Sequence, residues 1–152
     1  MAFLDEIAAH IVAQGAATLG VDLFLSTKAQ IPDGNGPYTT LIETGGTSSR
    51  RTQNNKSYNR PACQVVTRAS NYKVARDTAA KIYQALGGDD GMFNSVLDGT
   101  FYLSIIPNQA LFDLGLDERG RSRIGWNFDA EKESIPGESG MDFEQWVSEG
   151  WR

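Results

Sequence analysis

The chain has 152 residues, 40% of them hydrophobic, one cysteine, one histidine and a formal net charge of −5. That length and composition fit one domain able to bury a core without metal or disulfide staples. A single Cys63 excludes an intramolecular bridge, and one histidine excludes histidine triads and histidine-rich metal sites by count. No stretch reaches the roughly 20 apolar residues of a membrane span, and Asp5 and Glu6 stand where a signal peptide carries basic residues, so the expectation is a soluble chain, cytoplasmic at synthesis.

Residues 3–14 set Phe3, Leu4, Ile7, Ala8, Ile11 and Val12 on one side of a helical wheel, with Asp5, Glu6, Ala9 and Ala13 opposite. This predicts an amphipathic first helix, with His10 at the edge of its apolar arc as a boundary residue rather than a ligand or base. Val21, Leu23 and Leu25 alternate as a strand. After the turn-rich stretch from Pro32 to Pro37, a second strand runs from Tyr38 to Thr44, ended by Gly45 and Gly46.

Residues 45–60 form a polar connection of 16 residues that holds Arg50, Arg51, Lys56 and Arg60 and no acidic residue. It exceeds the usual loop length of about 4–6 residues. Drawn out as a hairpin it reaches about 25 Å, at roughly 3.3 Å per residue over half its length. Those four cations are candidate contacts for DNA or for acidic patches on a neighbouring protein.

Ala62 to Arg68 reads as a third strand, with Cys63 a small buried hydrophobe in it. Tyr72 to Leu86 reads as a helix whose narrow apolar face carries Tyr72, Ala75, Ala79, Ile82, Tyr83 and Leu86, stopped by Gly87 and Gly88. On its wet face Asp77 and Lys81 have i,i+4 spacing, and Lys73 and Lys81 are candidate interface cations. Asp89-Asp90-Gly91 lacks the alternating oxygen ligands and closing glutamate of a calcium loop and reads as a turn. Gly34-Asn35-Gly36 fits neither a dinucleotide fingerprint nor a phosphate loop. Thr100 to Ile106 and Ser122 to Ala130 read as two further strands. Between them, 107–120 stays open between a short strand and a turn.

From Glu131 to Gly140 the composition turns to Glu, Ser, Pro and Gly, and an amphipathic stretch with Phe143, Trp146, Val147 and Trp151 follows. The charge imbalance resides here: residues 1–128 hold 12 acidic and 12 basic side chains, and residues 129–152 hold seven acidic and two basic. The expected organisation is a domain over 1–130 and, over 131–152, an acidic linker with an aromatic arm. Phe143, Trp146 and Trp151 are an expensive surface to leave in water and are candidate docking residues, on the arm's own domain, a neighbouring subunit or another protein.

Tyr38-Thr-Thr-Leu-Ile-Glu-Thr-Gly-Gly46, Gln64-Val-Val-Thr-Arg-Ala-Ser-Asn-Tyr72 running into Ala75-Arg-Asp-Thr-Ala-Ala-Lys-Ile-Tyr83, and Arg123-Ile-Gly-Trp-Asn-Phe-Asp129 together resemble the tail terminator and minor capsid (tail completion) proteins of long-tailed bacteriophages. The likeness covers about residues 3–130 and contains no active-site motif. It implies an α+β fold, a mixed or antiparallel sheet packed against two main helices, with the C-terminal extension outside the match. It also implies a virion protein of the head-proximal end of the tail, assembled in the host cytoplasm. There it forms a homohexameric ring that ends the tail tube, meets the tube protein and the head connector or stopper protein, and lets DNA pass. No catalytic residue, cofactor, metal or membrane partner is implied. Another connector or tail-completion role remains as an alternative. A nucleic-acid-binding module using 45–60 is a second, against which the neutral body and acidic tail argue. A small hydrolase built on carboxylates is a third, with nothing in the sequence bringing such acids together.

Overall fold

The structure, a computed structural model, describes residues 3–25, 31–51 and 57–133, with side chains left aside at 47–51 and 57. Elements follow the order α1 (Phe3–Ala13), β1 (Leu23–Leu25), β2 (Tyr38–Glu43), β3 (Thr47–Arg51), β4 (Ser57–Arg60), β5 (Ala62–Ala69), α2 (Tyr72–Ala85), β6 (Met92–Leu97), β7 (Thr100–Pro107), β8 (Phe112–Leu116) and β9 (Ser122–Glu133). The strands described form one mixed sheet: β1 runs parallel to β2, and the other pairings are antiparallel. The expected α+β class, sheet against two helices, is what the chain adopts.

β9 is the axis of the sheet. It pairs with β5 over its first eight residues and with β4 at its C-terminal end, while β8 and β7 share its other edge. Its burial alternates, with Ser122, Ile124, Trp126, Phe128, Ala130 and Lys132 inward. Both helices lie on that inward face. α1 packs Phe3, Leu4, Ile7, Ala8 and Ile11 into a cluster with Leu41, Val65, Ile82, Tyr83, Trp126 and Phe128. Trp126 anchors it, its ring 4.8 Å from that of Tyr83 and 5.5 Å from that of Phe128. Burying side chains of this size stabilises by about 1.5–3 kcal/mol each, so these rings set how α2 lies across the sheet.

α2 begins where Asn71 accepts a hydrogen bond from Val74 N–H at 3.0 Å, filling one of the four orphan donors of a helix start. It stops at Gly87, whose φ of 101° no side-chain-bearing residue adopts cheaply. The buried face is Ala75, Ala79, Ile82, Tyr83 and Leu86 as expected, but Tyr72, in the first turn, is 48% exposed. Val21 likewise turns outward at 64% exposure, since β1 begins only at Leu23.

Besides β3 and β4, which lie in the stretch 45–60 read as a polar connection, three elements differ from the sequence reading. Met92–Leu97 is a strand, β6, hairpinned to β7. The open segment 107–120 contains a strand, β8. β9 runs to Glu133, three residues past the expected Ala130. That extension exposes the largest surprise in the core: Glu6, expected on the wet side of α1, is 0% exposed, and its Oε1 accepts from Lys132 Nζ at 2.7 Å and from Tyr102 Oη at 2.8 Å. Thr100 Oγ1 donates to the other carboxylate oxygen. A charge this deep is tolerated only when paired and hydrogen-bonded, and here it ties α1 to the ends of β7 and β9.

Candidate interaction surface

The polar connection 45–60 is largely strand. β3 and β4 pair antiparallel, Arg50 opposite Tyr58 and Arg51 opposite Ser57, with a register shift after Thr47. They lie in the chain between the paired strands β2 and β5, and β4 is held by β9 through Tyr58–Glu133 and Asn59–Lys132. Gly46 makes the crossing possible: a Cβ there would stand 2.2 Å from the Arg60 carbonyl oxygen. A hairpin rooted in the central strand is a stiffer projection than a free loop, because its backbone polar groups are paired.

The candidate cations divide accordingly. Arg50 and Arg51 lie on β3, Arg60 lies half-buried on β4, and Lys56 lies outside the described residues. Lys73 and Lys81 are exposed on α2, well separated in the chain from the hairpin. Among the described residues Asp77 and Lys81 close no ion pair despite their spacing; they line an open groove with Gln84, Ala80 and the α1 end at Gln14 to Ala16. Phe143, Trp146 and Trp151 lie outside the described residues.

The side chains that chemistry would need are engaged in structure. His10 Nε2 donates to the Ala85 carbonyl at 2.9 Å, joining α1 to the C-terminus of α2. Burial pushes the Cys63 thiol up to about 12, only partly countered by a backbone hydrogen bond at Ile42, so it stays protonated and poorly nucleophilic at neutral pH. Tyr83 donates to Asp89 at 2.6 Å, and that bond, with burial, pushes its phenol up to about 12. Among the described residues no group of three or more His, Cys, Asp or Glu is placed to hold a metal.

One basic site escaped the sequence reading. Arg68 on β5 and Arg123 on β9 are direct cross-strand partners. They sit on the sheet face away from the helices, since Thr67 and Ile124 point inward. Arg121 joins them from the turn before β9, its Nε 2.7 Å from Asp117 Oδ2 and its Nη1 donating at 2.9 Å to the carbonyls of Asp33 and Gly34. Arg119 Nη1 lies 2.5 Å from Asp33 Oδ2. Arg68 Nη2 donates to the Pro32 carbonyl at 2.6 Å, and its guanidinium lies 5.5 Å from the Tyr38 ring centre. Desolvation and the charge of Arg121 both lower the pKa of Arg68. The four arginines are spread over 55 residues of sequence, and only the β5–β9 register brings them together.

Comparison with known proteins gives two findings. Residues 10–133 match the family model described as bacteriophage tail terminator protein. Among solved structures, a chain from one titled "Virion of native gene transfer agent (GTA) particle" superimposes with a TM-score of 0.51 at 18% identity. That alignment covers 82% of this chain and 84% of the other, a likeness of fold. No curated protein sequence matches.

Proposed function

The chain belongs to the bacteriophage tail terminator family, and on that premise we propose that it is a non-enzymatic ring subunit that ends the tail tube and joins it to the head connector. The observation that carries the reading is the extent of the family match, residues 10–133, which spans every strand and all of α2 and leaves out only the first turns of α1 and the 134–152 arm. A terminator must stop a polymer, and a closed ring does so by presenting the tube with a matching face while offering no further copy of that face above. Closure by rotation requires each subunit to carry two different surfaces that meet their complements on the next. Two candidate surfaces are the β3–β4 hairpin at one end of β9 and the arginine cluster at the other; both are basic, so each calls for an acidic complement on a neighbour.

In this reading the ring is a hexamer at the head-proximal end of the tail, and DNA passes through its opening. The hairpin cations Arg50, Arg51, Lys56 and Arg60 then face the DNA path or the acidic surface of the adjoining tube. Arginine and lysine suit both tasks, since phosphate and carboxylate contacts of this kind steer without demanding sequence. Replacing the four with Ser should give a folded protein whose particles join heads to tails poorly. Normal yields of infectious particles from that variant would exclude the hairpin from the junction.

A further inference from the structure

The arginine end of the outer sheet face gathers like charges that the described residues answer only in part. Like charges directly opposite on neighbouring strands repel, and Arg68 and Arg123 are so placed. Their Nε atoms are buried without a hydrogen-bond partner, and neither guanidinium closes an ion pair among the described residues. Asp33 and Asp117, the nearby carboxylates, are taken by Arg119 and Arg121. A surface with two arginines that close no ion pair among the described residues, beside the Tyr38 ring, fits a segment that is acidic and aromatic.

The chain contains one such segment outside the described residues. Residues 134–152 hold Glu138, Asp142, Glu144 and Glu149 against a single Arg152, with Phe143, Trp146 and Trp151 among them. It departs from Glu133, ten residues along β9 from Arg123, which is about 33 Å at roughly 3.3 Å per residue. Folded back along its own strand, it would carry Glu138 over Glu131 and Asp129, which point to the same outer face as Arg123. That like-charge path disfavours the arm's own cluster and favours the cluster of another copy. We infer that the arm of one subunit docks on the arginine end of the outer sheet face of the next, with Glu144 and Glu149 neutralising Arg68 and Arg123 and the tryptophans lying beside Tyr38. This rests on the ring reading above and names one of its two complementary surfaces.

The test uses the full chain in two variants, Arg68→Glu with Arg123→Glu, and Glu144→Arg with Glu149→Arg, followed by sedimentation velocity across a concentration series. Each variant alone should raise the concentration for half-association at least tenfold. Mixed in equal amounts, they should associate as the native chain does, because every arm then meets a cluster of opposite charge on its neighbour. Arms docked on their own chain would not be rescued by mixing, and that result overturns the inference. So does wild-type association of either variant, which would leave the ring itself intact. A native chain that remains monomeric throughout would remove the ring reading as well. Should the cluster variant lose its cooperative melt, Arg123→Glu alone, mixed with the arm variant, reads the same rescue.

Discussion

Lys132→Met tests whether the Glu6 network is as dry as its geometry states. The substitution removes the ammonium 2.7 Å from Glu6 Oε1 and leaves a carboxylate of zero exposure with only the hydroxyl donors Tyr102 and Thr100. Removing one partner of a buried pair costs about 3–5 kcal/mol. The double variant Glu6→Leu with Lys132→Met removes both charges. Its loss is expected to fall short of the sum of the two single losses by the coupling between the charges, with about 1–3 kcal/mol still lost for each hydroxyl deprived of the Glu6 acceptor. Urea unfolding reads the difference as a shift of midpoint at unchanged slope. A single-variant loss below about 1 kcal/mol, the range of an exposed pair, would refute the reasoning. So would a double variant whose loss equals the sum of the two singles.

Native protein at pH 8 should leave Cys63 unlabelled by an aromatic disulfide reagent until it unfolds, since burial raises its thiol to about 12; rapid native labelling would contradict this. For Asp117, burial alone would raise the carboxyl, but hydrogen bonds from Arg121 and the Arg119 amide hold it below its usual 3.8. Its folded pKa is therefore the lower one, so the contact stabilises above the ordinary carboxylate value and is lost as pH falls below it. Asp117→Asn should flatten the acid limb of the stability profile, and an unchanged limb would count against the contact. Truncation after Glu133 should leave a cooperative, soluble domain. The core clusters of the described residues are built from side chains before Glu133, so their packing does not call on the arm. A molten truncated chain would place the arm's rings in the subunit's core.

The elements legible in the sequence are those with an unbroken period. α1, α2, β2, β5, β7 and the first nine residues of β9 each set buried residues toward the core at a readable spacing. β8 hid because a bulge breaks its alternation, Gly115 taking φ 85° where the register slips, and β6 hid because only Leu97 of its six residues is buried. β3 and β4 hid because their residues, Thr47–Arg51 and Ser57–Arg60, are polar apart from Tyr58 and leave no apolar period to read. The Glu6 pair had a readable trace: continuing the inward series Trp126, Phe128, Ala130 by two residues reaches Lys132, and an inward lysine demands a carboxylate. Which carboxylate was not legible, because Glu6 lies 126 residues away. The arginine cluster had no local trace either, since strand register alone makes Arg68 and Arg123 neighbours.

Native mass spectrometry of the purified chain, alone and with isolated tail tubes, tests the central claim most directly. A ring-forming terminator predicts a closed hexamer of 16.6 kDa chains, free in solution or formed on tube ends, and tubes that stop growing once they carry it. A monomer that leaves tubes elongating freely, and shifts only when DNA is added, would contradict it.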